Sequence, residues 1–225
     1  MKKYAIIVAG GSGVRMGNPL PKQFLLLHGK PVLWYTLRVF LDAYEDLTII
    51  LVLPEEHLET GRKVAASLSA SHRIQLTSGG ATRFHSVRNG LQLITETNSL
   101  IFVHDGVRCL LTPRLIHLCA AKAMEAGSAI PVIDSKDSVR LVGDSGNEAI
   151  ERSRVKLVQT PQTFLGHILL PAYRAAYEER FTDEATVVEA YNHGKVELVE
   201  GEINNIKITN PIDLLIAEKL LADGH

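Results

Sequence analysis

The segment "YAIIVAGGSGVRMGNPLPKQF", Tyr4 to Phe24, runs from an apolar stretch into three glycines between Gly10 and Gly13, then carries Arg15 and Lys22 past Pro19 and Pro21. Tyr4 to Ala9 has the length and β-branched content of a buried strand. The two lysines ahead of it give "MKKYAIIVAGG" the look of a signal peptide, but the apolar run is too short and glycines follow directly, so a first strand is expected. Glycines after a strand allow a backbone to come close to a ligand, and two separated cations suit an anion.

Outward from this segment the chain alternates. Thr48 to Leu53, Arg73 to Thr77, Leu100 to His104 and Ser128 to Ile133 read as further buried strands. Pro31 to Leu41, Glu55 to Ser69 and Phe84 to Thr95 have helical spacing, and Thr112-Pro113 is a cap and first turn for a helix ending at Gly127. Strand-helix alternation predicts an α/β fold, a mostly parallel sheet with helices on both faces and ligands at the carboxyl ends of its strands. That rule brings the opening loop and "HDGVR", His104 to Arg108, to one rim.

After Ile133 the pattern changes. Val139 to Val142 and Glu148 to Ile150 flank the turn-rich "GDSGN" and predict a β-arm within about 134–155, projecting from a single domain of 1–225. A hairpin with little core of its own needs a surface to pack on, so a homodimer through the arm is expected. Helices are predicted over Ile168 to Glu179 and Asp183 to Tyr191, a strand near Val196 to Glu200, and a last helix from Asn210-Pro211.

With 225 residues, 46% hydrophobic and 22% charged, the chain can bury a sizeable core. A net charge of −1 argues against non-specific binding to nucleic acid or an anionic membrane. Two cysteines, Cys109 and Cys119, make neither a disulfide framework nor a zinc site, and a cytoplasmic location is expected.

Two familiar phosphate loops fail on the opening segment. The chain has no Gly-Lys-Ser/Thr ending, and the dinucleotide fingerprint that begins at Gly11 and Gly13 meets Met16 at its third position, with prolines where a helix should start. A third use remains, in which the glycines admit a nucleotide and Arg15 and Lys22 flank its phosphates. A plain turn with two solvated cations explains the spacing equally well.

Seven stretches then occur in order along the chain: "AGGSGVRMG", "PKQF", "GGATRFHSV", "HDGVR", "QTPQTF", "TDEA" and "EGEINNIKIT". Together they resemble the sugar-phosphate cytidylyltransferases, and most closely the 2-C-methyl-D-erythritol 4-phosphate cytidylyltransferase family. The resemblance implies a three-layer, Rossmann-like nucleotidyltransferase fold and transfer of a cytidylyl group from CTP to a polyol phosphate, with Mg²⁺ as cofactor. It implies catalytic roles for Arg15, Lys22 and Lys207. It places Ala9, Gly10, Gly11, Gly13, Gly79, Gly80, Ser86, Asp105 and Gly106 around CTP, with Asp105 as a magnesium ligand alongside the phosphates. Arg108, Ser138, Arg152, Thr160 and Thr182 would bind the acceptor, Arg154 competing with Arg152. His104 reads as structural, and Asp183 and Glu184 as an ordinary acidic helix start.

The chain departs from the family pattern at Ala81, where an acidic residue is common, at Cys109, usually proline, and at Glu151, often aspartate. A ribitol 5-phosphate cytidylyltransferase is the nearest alternative, and a non-catalytic nucleotide sensor a more distant one. The two lysines and the full acceptor set speak against the sensor.

Overall fold

The computed structural model describes residues 1–11, 20–192 and 194–223. The elements follow as β1 (Lys2–Val8), β2 (Leu26–Leu27), β3 (Lys30–Pro31), α1 (Val32–Ala43), β4 (Leu47–Leu53), α2 (Leu58–Ala66), β5 (Ile74–Ser78), α3 (Arg83–Leu91), β6 (Ser99–Asp105) and α4 (Pro113–Ala126). Then come β7 (Ser128–Asp134), β8 (Val139–Gly143), β9 (Gly146–Ile150), β10 (Lys156–Val158), β11 (Gln162–Leu165), α5 (Gly166–Ala172), α6 (Glu184–Asn192), β12 (Leu198–Glu200) and α7 (Pro211–Ala222). No helix among the described residues is long and apolar enough to cross a membrane.

An eight-stranded sheet organises the chain. β5, β4, β1 and β6 are parallel neighbours, β11 lies antiparallel between β6 and β7, and β7 also pairs with antiparallel β10 and parallel β12. Alternation within the strands builds the two flanking layers. Ala5, Ile7, Ile49, Leu51 and Leu53 face one cluster with Leu37 and Phe40 of α1, Val64 of α2 and Ile116 of α4. Tyr4, Ile6, Ile50 and Val52 face the other, with Phe84 and Val87 of α3, Leu169 of α5 and Val188 of α6. Because both faces are covered, the strands read as continuous apolar runs, as a parallel sheet requires. α7 closes a third cluster with Leu27, Val32, Val107 and Ile208.

The helix caps follow their local chemistry. The Thr112 hydroxyl accepts from the Leu115 N–H at the start of α4, and Gly127 ends it with φ +89°, a left-handed backbone that favours glycine. The expected helix from Ile168 to Glu179 stops at Ala172 instead. Tyr173 turns into the core there, stacks on Phe84 at 4.8 Å between ring centroids and gives its hydroxyl to Glu184, so tertiary packing outweighs the helical periodicity. β8 and β9 pair only with each other, as a separate two-stranded ladder.

The parallel strands end together. Past their last residues the ladder continues as Gly79 N–H to Leu53 O at 2.7 Å, Ala9 N–H to Val52 O at 2.9 Å and Gly106 N–H to Val8 O at 2.9 Å. The segments after β5, β1 and β6 are thereby held side by side along one rim.

Candidate active site

A cavity of about 410 Å³ opens at that rim. Ala9, Gly10 and Gly11 line it just after β1, Gly79 to Arg83 and Ser86 from the turn after β5 and from α3, Asp105 from β6, Lys22 from a 3-10 turn and Lys207 from an irregular segment. Gly13 and Arg15, with Met16 and Pro19, lie outside the described residues.

Lys22 is placed by its neighbours. Pro21 leads into a 3-10 turn, Lys22–Phe24, in which the Phe24 N–H bonds back to Pro21 O. Gln23 donates from Nε2 to Ala9 O at 2.8 Å and Phe24 is buried in the core. Lys22 is itself buried, with its stem close enough to Gly11 that a Cβ there would sit 3.7 Å from Lys22 Cε.

The glycines after β5 allow a close turn onto α3. The Gly80 N–H donates to Ser86 Oγ at 3.1 Å, and Ser86 in turn donates to Thr82 O at 3.0 Å. Thr82 caps α3 with its hydroxyl on the His85 N–H. Gly79 to Ala81 thus line the cavity wall, with Ala81 adding only a methyl group.

Asp105 is the electrostatic centre. It is 7% exposed, and three cations face it: Lys207 Nζ at 3.0 Å, Arg83 Nε at 3.5 Å and Arg108 Nε at 3.5 Å. Burial works to raise its pKa, but the fields of Arg83, Lys207 and Arg108 outweigh burial and hold the carboxyl well below the usual carboxylate range. The group is therefore ionised, and with Lys22 on the same wall the cavity carries a surplus of positive charge fitted to a polyanion.

Lys207 reaches Asp105 from a segment without regular structure. Asn205, fully buried, fixes that segment by donating from Nδ2 to Thr160 O at 2.8 Å, while Arg108 holds Asn205 O at 2.8 Å. His104 is fully buried, bonded to the Thr160 hydroxyl at 2.9 Å and to Arg108 O at 3.2 Å. Burial drives its pKa down to about 3, so it is a neutral structural residue, as expected.

The structure places the other sequence-predicted residues as follows. Thr160, expected among the acceptor contacts, is buried with its hydroxyl spent on His104 and on the Asp105 N–H at 3.1 Å, so it fixes the backbone of Asp105. Gly106 does not line the cavity; its carbonyl accepts from Thr36, and a Cβ there would meet Ala9 Cβ at 2.9 Å. Arg108 is not among the lining residues, its Nε lying 3.5 Å from Asp105. Ser138 and Thr182 are exposed and outside the cavity lining, Ser138 at the base of the arm and Thr182 just before α6. Arg152 lines a separate open hollow of about 790 Å³ at the arm's base with Lys136 and Lys156, its Nη1 on Lys136 O at 2.9 Å. Arg154, the competing candidate, lies in the same short turn. Cys109 is buried and not catalytic in placement; burial pushes its thiol up to about 12.

Two residues of the cavity's charge system escaped the sequence reading. Arg83 lines the cavity and bonds Glu184, whose carboxylate is fully buried. The acidic pair at the start of α6 is therefore divided. Asp183 is the ordinary cap, accepting from the Thr186 N–H at 2.9 Å, whereas Glu184 belongs to the charge system of the site. The signal available was the arginine beside the glycine turn at "GGATR".

Among the described residues no group of three or more His, Cys, Asp or Glu could cage a metal. Asp105 is an ionised carboxylate on the cavity wall, which fits Mg²⁺ shared between one carboxylate and the phosphates of a nucleotide.

The profile of the family described as 2-C-methyl-D-erythritol 4-phosphate cytidylyltransferase matches residues 4–223. Proteins of that name from Bacteroides thetaiotaomicron and Porphyromonas gingivalis are each 46% identical, the first over 98% of this chain and all of the relative, the second over 98% of both. Among solved structures, 4-diphosphocytidyl-2C-methyl-D-erythritol synthase from Anaerococcus prevotii superposes with a TM-score of 0.84 at 28% identity, covering 98% of this chain and 96% of the other. The Thermus thermophilus cytidylyltransferase gives 0.77 at 30% identity, with 99% and 100% covered.

Proposed function

The chain belongs to the 2-C-methyl-D-erythritol 4-phosphate cytidylyltransferase family, and on that premise we propose that the cavity around Asp105 is where the cytidylyl group changes hands. The enzyme transfers that group from CTP to 2-C-methyl-D-erythritol 4-phosphate, giving 4-diphosphocytidyl-2-C-methyl-D-erythritol and pyrophosphate in isoprenoid biosynthesis. An oxygen of the acceptor phosphate forms a bond to the α-phosphorus of CTP as the bond to the bridging oxygen of pyrophosphate breaks. Both reactants are polyanions, so the protein's work is to position them and to balance the charge that builds at the α-phosphate.

The observation that carries this reading is the convergence of Lys22 and Lys207 with Asp105 in one cavity beside a glycine-rich wall. The polar backbone of Gly79 to Ala81 and the Ser86 hydroxyl take the cytosine edge, and Gly10 and Gly11 admit the phosphates. Lys22, with Arg15, binds the triphosphate, and Lys22 meets the charge of the transition state. Lys207 draws the acceptor phosphate towards the α-phosphorus. Asp105 would hold Mg²⁺ at the CTP phosphates, where the ion would supply charge neutralisation.

The acceptor's remaining contacts come from Arg108, Ser138, Arg152 and Thr182. Ser138 and Arg152 lie at the base of an arm that exposes Leu141 and Val142, and Leu157 and Val158 of β10 are exposed as well. A second copy of the chain is the partner that would cover these residues and bring the arm to a neighbouring site. The chain is then one nucleotidyltransferase domain with an arm at about 134–155, active as a dimer in the cytoplasm. A mass by sedimentation that stays monomeric at all concentrations would refute the dimer.

The activity is tested by pyrophosphate release with CTP, Mg²⁺ and 2-C-methyl-D-erythritol 4-phosphate, against CTP alone and against ribitol 5-phosphate. Release dependent on the methylerythritol acceptor is expected. Equal or better turnover on ribitol 5-phosphate would overturn the substrate assignment.

A further inference from the structure

Arg83, at the first position of α3, and Glu184, at the first position of α6, meet across the molecule. Glu184 accepts from both terminal nitrogens of the guanidinium, Nη1 on Oε1 and Nη2 on Oε2, the latter at 2.9 Å, and Tyr173 adds its hydroxyl to Oε1 at 3.1 Å. With both terminal nitrogens engaged, Arg83 touches Asp105 through Nε alone, at 3.5 Å, the outer limit of a hydrogen bond. Lys207 holds the closer position on Asp105, at 3.0 Å.

A guanidinium favours a carboxylate taken by two parallel N–H bonds, and Asp105 is the other carboxylate that Arg83 contacts. An Arg83 released from Glu184 would close on Asp105 and displace Lys207. Buried ion pairs are poor stabilisers compared with apolar packing, so one retained on the wall of a reaction site points to a role beyond stability. We infer that Glu184 is a positioning residue: by holding both terminal nitrogens of Arg83 it keeps that arginine off Asp105, leaving Asp105 paired with Lys207 and open to the cavity. The same pair links the nucleotide-facing start of α3 to the segment carrying Thr182. This inference rests on the transferase reading above.

The test compares wild type, Glu184→Gln and the double variant Arg83→Gln/Glu184→Gln. Turnover is read at a temperature below the unfolding transition of each, and CTP affinity by calorimetry. Wild-type turnover on CTP and the methylerythritol acceptor tests the parent reading separately. Glu184→Gln is expected to lower kcat about ten- to hundredfold while CTP affinity stays within about threefold. Adding Arg83→Gln removes the competitor and is expected to raise kcat about fivefold or more over the single variant. A merely structural pair would leave kcat of the folded variants unchanged. Wild-type kcat in folded Glu184→Gln, or a double variant no faster than the single, overturns the inference. If Glu184→Gln does not fold, Glu184→Asp decides. It keeps the charges balanced but is one methylene too short to hold both nitrogens, so kcat should fall about tenfold with CTP affinity kept, and unchanged kcat refutes the inference.

Discussion

Replacing Gly80 with alanine should weaken CTP binding, and the size of the effect follows from the turn onto α3. A Cβ at position 80 would lie 2.5 Å from His85 Cβ, 3.1 Å from its carbonyl carbon and 3.3 Å from its Cα, whereas ordinary contact begins at 3.4 Å. About 0.9 Å must therefore be found against a Cβ and two backbone atoms. His85 cannot easily supply it, because it sits in the first turn of α3, its ring bonds Thr82 Oγ1 at 2.9 Å and packs on Phe84 and Tyr177. Gly90 anchors the same helix against Ile6 and Val52, so close that a Cβ there would meet them at 3.0 and 3.1 Å.

The glycine segment has to move instead, and the hydrogen bond from the Gly80 N–H to Ser86 Oγ breaks first. Strain from an added core methyl is about 1–3 kcal/mol. If binding CTP requires the native turn, that strain appears as a loss of about five- to 150-fold in affinity. The assay is calorimetric titration with CTP, with thermal unfolding measured in parallel. Gly143→Ala, with open space around its Cβ, is the control and should change neither. A Gly80→Ala protein that is destabilised as calculated yet binds CTP like wild type would show that the turn is packing and not a nucleotide wall.

Lys22→Ala should lower kcat by about 100-fold or more, the usual cost of losing a group that meets transition-state charge, and near-normal turnover by steady-state kinetics would contradict its role. Both cysteines are buried, with thiols pushed up to about 12. A thiol reagent at pH 8 should therefore label neither until the protein unfolds, and rapid native labelling of either would refute that burial. Asp213 of the α7 capping box accepts N–H bonds from Thr209 and Asn210, both at 2.7 Å; burial works upward on its pKa but these bonds outweigh it and hold the carboxyl below its ordinary value. Its contribution is therefore complete above the unfolded value and lost as pH falls through the lower folded one. Asp213→Ala should cost about 1 kcal/mol at pH 7 in denaturant melts, and the gap to wild type should begin to narrow as pH falls below about 4; a gap independent of pH would contradict the ionised cap.

What could be read from the sequence divides by the range of the interaction. The strand ends and the α4 caps depend on neighbours within a few positions, so Thr112, Pro113 and Gly127 announced them. Asp105 was legible because a carboxylate following an apolar strand falls at the rim wherever the sheet is parallel. Lys207 was placed through family resemblance, since its approach to Asp105 depends on Asn205 bonding Thr160 O, 45 positions earlier.

Arg83 and Glu184 lie 101 positions apart, and each has a sufficient local explanation: a cation beside a turn, an acid at a helix start. Local chemistry cannot tell whether an acid at a helix start faces water or the interior. Asp183 and Glu184 make the point, being adjacent, both acidic, and assigned by the fold to opposite duties. The early end of α5 has the same origin. Tyr173 leaves the helix to stack on Phe84, and its hydroxyl on Glu184 completes the burial of that carboxylate. The misjudged helix and the missed acid are thus one event, in which the chain gives up helical periodicity to enclose a charge beside the site.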